Sequence, residues 1–297
     1  MGEPAPVILG GRPYPVAEVV AALLRYVCDE AVTFVGRAPA RVVLTHPAVW
    51  KRTRLEALVE AAGRAGITDP VLVAEPVAAA MAYAERTGER PTGPVAVYDL
   101  GGGTFDTAVL GPSNGGFVVL GKAGGDDRIG GERFDELVVA HLGAGLPHAV
   151  WDQLQASDEP GWRQANAELR QKARWAKEAL SRAEQAEVVI GHPMGLSPLT
   201  ITKTDFEGLI RGHLEETLDV VSATVEDADI TPSDLHAIYL VGGASRIPLV
   251  EDLVRAAYPD IPLHRHGDPK MVVAEGVTAP RESAPLSPRL SPFPSES

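Results

Sequence analysis

Residues 95–110 read VAVYDLGGGTFDTAVL. Two apolar runs flank three glycines, with Asp99 before the turn and Asp106 after it. Strand composition on both sides and glycines between them predict two strands joined by a tight connection, so that a strand delivers Asp99 to its end. Gly101, Gly102 and Gly103 carry no Cβ, so their backbone can approach an anion closely and offer a nest of N–H groups to phosphate oxygens. Thr104 adds a hydroxyl, and Asp99 is placed to hold a hydrated Mg²⁺ through its waters, since Mg²⁺ keeps most of its shell. The plainer alternative is a glycine-rich hairpin turn between ordinary acids. The whole string, acid–Leu–Gly–Gly–Gly–Thr–Phe–acid between apolar strands, favours phosphate. It is neither a P-loop nor a dinucleotide fingerprint, because both of those run from a strand into a helix.

Downstream, residues 116–121 read as a third strand of an antiparallel meander, and a helix is expected from about Gly131 to 142. A charged helix over 162–184 and a short hairpin over 186–201 follow. Thr202 and Asp205 make a capping box ahead of the stripe Phe206, Leu209, Leu214, Leu218, Val221 and Val225. Then come a strand at 236–241, a helix at 246–257 and a short last helix at 270–278. Upstream, Val16, Val19, Val20, Leu23, Val27, Ala31 and Phe34 recur at helical spacing over 16–36. A strand at 41–45, a helix at 50–65, a strand at 71–74 and an alanine-rich helix opened by Pro76 complete a strand–helix alternation that predicts an α/β layered domain. The expected divisions are a flexible arm at 1–15, a first lobe at 16–93, a second lobe at 94–279 containing a helical subdomain at about 160–228, and a disordered Pro/Ser tail at 280–297. The Ser-Pro pairs of the tail could be modification sites, but a plain solvated terminus is preferred.

The chain has 297 residues and a net charge of −13. Such an acidic surface repels phosphate backbones and anionic lipid, which argues against nucleic acid and membrane as partners. A nucleotide remains compatible, because a local nest or a metal ion can receive it. Cys28 is the only cysteine, so no intrachain disulfide forms, in keeping with a reducing compartment; on its apolar stripe it reads as a buried structural thiol rather than a nucleophile. The start shows no basic region leading into a long apolar run, and no stretch approaches membrane-spanning length, so a cytoplasmic location is expected.

A glycine loop joining two strands is the phosphate hairpin of the actin-like ATPase (ribonuclease-H-like) fold, and with it the sequence resembles the nucleotide-binding domain of the heat shock protein 70 family. The resemblance extends beyond the hairpin. VVLTHPAVW at 42–50, AGRAGI at 62–67, VAEPVAAAMAYA at 73–84, IGGERFDELV at 129–138, AKEALS at 176–181 and IYLVGGASRIP at 238–248 are similar to successive family blocks, in order. The resemblance implies ATP or ADP with Mg²⁺ as ligands, a chaperone-type ATPase activity in the setting of stress response and protein folding, and co-chaperone or nucleotide-exchange proteins as partners.

Residue by residue, the resemblance implies that Glu75 is an acid near the attacking water, although a Glu before Pro is equally a helix N-terminal charge. Asp99 matches the metal and water shell, and Asp106 an acid near the catalytic centre. Gly101, Gly102, Gly103 and Thr104 match the cradle of the β- and γ-phosphates. Gly130, Gly131 and Glu132 match a segment near the ribose and phosphates. Lys177 and Ser181, one helical turn apart, match adenosine contacts; without the resemblance, Lys177 would read as part of a solvated face. Gly242 and Gly243 end a strand close to the nucleoside, and Arg246 is placed to stack on the base, against the alternative of an ordinary surface arginine.

There are departures. The family's opening hairpin, with its own Asp-Leu-Gly-Thr loop, and the strand carrying the catalytic lysine have no match, so the first lobe reads as truncated and the second as nearly complete. Arg174 stands where the family has an acid for the ribose hydroxyls, and Lys270 where it has an acid near the purine. The peptide-binding β-sandwich and its lid have no match either. Impaired hydrolysis is therefore expected, as is self-association through the truncated lobe. A non-catalytic nucleotide sensor or interaction module of the same fold is the main alternative. A sugar kinase of this superfold is disfavoured by the blocks at 73–84 and 176–181.

Overall fold

The computed structural model of the chain describes residues 6–88, 91–114, 116–191, 198–265 and 271–278. They fall into two units: one takes the chain to residue 90 with the 112–118 turn and the segment from 272, the other takes 91–111 and 119–271.

In the first unit, Val7–Leu9 (β1) and Arg12–Tyr14 (β2) pair antiparallel, where the sequence reads as a loose arm. The helix α1 (Val16–Val35) forms as the periodicity predicts and ends on Gly36 in the left-handed conformation. The strand β3 (Val43–His46) pairs parallel with β4 (Val71–Ala74), from Val43 opposite Val71 to His46 opposite Ala74. The helix α2 (Arg52–Arg64) makes the crossover that a parallel pair requires. Next comes α3 (Glu75–Thr87), with Pro76 in its first turn. The stripe on α1 is divided: Val16, Val19 and Val20 are half-buried, whereas Leu23 is 61% and Phe34 93% exposed, and only Ala21 of the helix is buried. Periodicity marks which residues share a face, not which face finds a partner. Cys28 is half-buried rather than buried.

The second unit is built on a five-stranded mixed sheet. Its strands are β5 (Val95–Leu100), β6 (Phe105–Ser113), β7 (Gly116–Asp126), β10 (Ala237–Val241) and β11 (Leu263–Arg265), in the order β11–β10–β5–β6–β7. The helices α4 (Gly131–Ala144), α5 (His148–Ala156), α6 (Pro160–Ala179), α7 (Lys203–Asp227) and α8 (Pro248–Ala257) belong here, with an antiparallel pair of β8 (Gln185–Val188) and β9 (Leu199–Thr202). The strands β5, β10 and β11 run parallel; β6 returns antiparallel to β5. The expected meander and the capping box are present: Asp205 N–H donates to Thr202 Oγ1 at 3.1 Å, and Thr202 N–H to Asp205 Oδ2 at 3.1 Å. The sequence reading passed over α5 and β11, and α6 ends at Ala179, short of the expected 184.

One core joins the sheet to these helices, through Tyr98, Leu100 and Phe105 on the hairpin, Phe134 and Val138 on α4, Leu169 and Ala173 on α6, and Phe206 and Leu214 on α7. The rings of Tyr98 and Phe105 lie 4.7 Å apart, and the Tyr98 hydroxyl bonds Thr217 Oγ1 at 2.7 Å. Burial pushes the Tyr98 hydroxyl pKa well up, so it stays protonated and donates while Thr217 donates onward to the Leu214 carbonyl. This anchors β5 to α7. The chain then returns to the first unit in α9 (Val272–Thr278), which packs on α3 so closely that a Cβ on Gly276 would lie 1.7 Å from the Ala78 carbonyl oxygen. The expected tail at 280–297 and Lys270 lie outside the described residues.

Candidate functional site

The parallel strands β5 and β10 end level with each other, Asp99 opposite Val241. Ligands of open α/β sheets collect outside the carboxyl ends of parallel strands where the strand order turns. Two connections leave that edge here, the turn Gly101–Thr104 and the turn Gly242–Arg246.

The Gly101–Thr104 turn is closed by the Gly101 N–H donating to the Thr104 carbonyl at 2.9 Å. Its outer carbonyls are held by the start of α4. Gly131 N–H donates to the Gly101 carbonyl at 3.0 Å, and Glu132 N–H to the Gly102 carbonyl at 2.6 Å. A helix leaves its first amides without intrahelical acceptors, and here the hairpin takes two of them. The described peptide bonds are all trans, so each N–H points opposite its own carbonyl. Docking the carbonyls of Gly101 and Gly102 on α4 therefore aims the amides of Gly102 and Gly103 away from α4. Among the described residues those two amides have no acceptor, and a Cβ on either glycine would meet nothing within 4 Å. Two consecutive amides aimed one way over open space form an anion nest.

Gly130 and Gly131 make this docking possible. A Cβ on Gly130 would stand 2.6 Å from the Gly103 carbonyl carbon and 2.8 Å from the Gly102 oxygen. Their local role is thus to let helix and hairpin touch; Glu132 is exposed beside them.

Asp99 and Asp106 are direct cross-strand partners at the mouth of the hairpin. Thr104 Oγ1 donates to Asp106 Oδ2 at 2.9 Å. Burial pushes the Asp106 carboxyl pKa up, the Thr104 hydrogen bond pulls it down, and the charge of Asp127 adds to the upward shift. Like charges directly opposite are unfavourable unless a cation or a proton intervenes. Two opposed carboxylates are an all-oxygen donor set, which fits Mg²⁺. Among the described residues no group of three or more His, Cys, Asp or Glu could hold a metal ion.

On the other turn, Gly242 has φ +84, and a Cβ there would lie 2.5 Å from Asp99 Oδ1 and 2.3 Å from the Leu100 carbonyl oxygen. Only glycine meets both demands, and the Asp99 carboxylate rests against it. The buried Ser245, which the sequence reading did not single out, donates to the Gly242 carbonyl at 2.7 Å and holds the turn. Gly243 and Arg246 are exposed along it.

The structure thus brings together Asp99, the glycine hairpin, Asp106, the start of α4 and Gly242. Lys177 joins them from α6, with its side chain turned to α4 rather than outward, near Asp135 and the Gly131 carbonyl. Ser181 lies half-buried one residue past Leu180, which caps α6 with right-handed helical dihedrals. Arg174 is exposed and pairs with Glu178 at 3.4 Å. Glu75 is the first residue of α3 in the other unit.

The family model described as Hsp70 protein matches residues 5–282. The chain belongs to the Hsp70 family. Its α/β architecture, with the five-stranded mixed sheet, is that of the actin-like ATPase fold, and domains of the Hsp70 family bind nucleotide and serve chaperone ATPases. Among the described residues no helix is long and apolar enough to cross a membrane.

Proposed function

We propose that this Hsp70-family domain binds ATP and ADP with Mg²⁺ at the edge where β5 and β10 end. One observation carries the reading: the hairpin carbonyls are held by α4, which leaves the amides of Gly102 and Gly103 aimed together over open space. The phosphates would lie on these amides and the Thr104 hydroxyl. Mg²⁺ would supply neutralisation of the phosphate charge, with Asp99 and Asp106 as its oxygen donors through water. The nucleoside would lie along Gly242, Gly243 and Arg246, with the end of α6 and Ser181. That Glu75 orients the attacking water is supported by the resemblance of its VAEPVAAA block.

Hydrolysis by placement requires phosphates gripped from more than one side. The resemblance assigns one such grip among these residues, Gly101 to Thr104. We therefore expect binding without appreciable turnover by this chain alone, which is the behaviour of a nucleotide sensor. The test is calorimetric titration with ATP and ADP, with and without Mg²⁺, beside single-turnover hydrolysis. Saturable binding that weakens without Mg²⁺ and in Asp99→Ala supports the reading. Absence of saturable ATP binding overturns it, and clear turnover lost in Asp99→Ala overturns the sensor part.

A further inference from the structure

Ser245 is completely buried, at 0% exposure, in the turn that follows β10. A buried hydroxyl needs a partner, and this one donates to the Gly242 carbonyl at 2.7 Å. No backbone N–H of the described residues donates to that carbonyl, so the hydroxyl is what holds it. The rest of the turn closes without the Ser245 side chain: Arg246 N–H donates to the Gly243 carbonyl at 3.4 Å, and Ile247 N–H to the Ala244 carbonyl at 3.1 Å.

Gly242 is the residue of this turn least able to hold itself. Its φ is +84, and glycine leaves that region as readily as it enters it. Its Cα is also a wall of the Asp99 carboxylate. A Cβ on Gly242 would lie 2.5 Å from Asp99 Oδ1, so the carboxylate oxygen fills the space that a side chain would take. The strand backbones beside it are fixed by the β5–β10 ladder, with Asp99 opposite Val241, so what stays adjustable is the direction of the carboxylate. The contacts run from the Ser245 hydroxyl to the Gly242 carbonyl, and from the Gly242 Cα to Asp99 Oδ1.

We propose that Ser245 is a positioning residue for the Asp99 carboxylate: by holding Gly242 against Oδ1 it sets how much Mg²⁺ adds to nucleotide affinity. The effect on Mg²⁺ rests on the nucleotide reading of this edge; the hold on Asp99 does not. With no exposed surface, Ser245 touches no ligand itself. Mg²⁺ demands near-ideal octahedral geometry and keeps several waters, so a carboxylate that receives those waters serves best when its oxygens are fixed in direction. Groups standing behind a ligand supply that fixing.

The test compares Ser245→Ala with Ser245→Cys, which keeps a weak donor in a side chain of similar shape. Calorimetric titrations of ADP with Mg²⁺ and of ADP in EDTA give the Mg²⁺ gain, the ratio of the two affinities, and adenosine is titrated beside them. The Asp99 carboxyl ¹³C resonance of aspartate-labelled, nucleotide-free chain, assigned by its loss in Asp99→Ala, reads the carboxylate directly.

In Ser245→Ala the Mg²⁺ gain is expected to fall about three- to tenfold, the scale of one hydrogen bond between neutral groups, while ADP in EDTA and adenosine change less than about twofold. The Asp99 resonance is expected to move. Ser245→Cys should fall between the wild type and alanine, and it keeps the test open if Ser245→Ala does not fold. An unchanged Mg²⁺ gain would overturn the proposal, as would an unmoved Asp99 resonance. Adenosine and metal-free ADP weakening as much as ADP with Mg²⁺ would overturn it in favour of plain support of the nucleoside turn. If the wild type binds no nucleotide while the Asp99 resonance still responds to Ser245, the nucleotide reading fails and the positioning of Asp99 stands.

Discussion

Gly102 and Gly130 face each other across the contact between hairpin and helix, and substitution by alanine should separate their roles. A Cβ on Gly130 would fall 2.6 Å from the Gly103 carbonyl carbon, nearly an ångström inside ordinary van der Waals contact, and against backbone that cannot swing aside. Relief requires α4 to withdraw, which stretches the bonds from Gly131 N–H to Gly101 and from Glu132 N–H to Gly102. Overpacking of this kind costs about 1–3 kcal/mol, and each hydrogen bond lost adds about 1 kcal/mol. A loss of about 3–5 kcal/mol in a domain of this size corresponds to a fall in Tm on the order of 10 °C. Gly102→Ala is the opposite case. Its Cβ meets nothing within 4 Å, so folding is undisturbed, and the loss of backbone freedom in the unfolded chain stabilises by about 0.4–1 kcal/mol. If the hairpin is the phosphate site, an added methyl group there crowds the approach of the phosphates, so ATP affinity should fall about tenfold or more, as for a lost charge-assisted hydrogen bond. Differential scanning calorimetry of both variants, paired with titrations of ATP and adenosine, checks this. A Gly130→Ala protein melting with the wild type would refute the support of the hairpin by α4. A Gly102→Ala protein binding ATP normally would refute the hairpin as the phosphate site.

Asp106→Asn should stabilise the nucleotide-free protein at neutral pH. Burial raises the native carboxyl pKa above its unfolded value of 3.8, so the native state favours the protonated form and loses stability as pH rises through the native pKa. The advantage of Asn in Tm should therefore grow from pH 3 to pH 7; a difference independent of pH would be inconsistent with this. Arg174→Glu should tighten ATP by about tenfold or more, by restoring an acceptor for the ribose, while the like-charge pair it makes with Glu178 costs only about 0.2–0.5 kcal/mol. Unchanged affinity in calorimetry would remove Arg174 from the nucleoside side. The exposed stripe of α1, with Leu23, Tyr26, Val27 and Phe34, should drive self-association at tens of micromolar, and Leu23→Glu with Phe34→Glu should abolish it. A wild type that sediments as a monomer at that concentration would refute this.

By itself the sequence determined the elements whose signals are local. Two apolar runs around three glycines specify the β5–β6 hairpin and set Asp99 opposite Asp106, because a tight turn leaves the register little choice. Thr202 and Asp205 specify the start of α7 through bonds spanning three residues. Motif order likewise pointed to the Hsp70 family. The tertiary structure decided what depends on distant partners. The helix α1 is where periodicity puts it, but the later part of its stripe, Leu23, Val27, Ala31 and Phe34, is exposed, since burial depends on what packs against a face. Gly130 and Gly131 match a segment near the ribose and phosphates, and the hairpin about thirty positions earlier in the chain gives them a docking role that the sequence does not show. Asp135 stood in the family-like block IGGERFDELV with no role of its own, and Lys177, apart from the resemblance, read as part of a solvated face. Only the packing of α6 on α4 turns that ammonium inward, because a charge removed from water must find its counter-charge and acceptor within the fold.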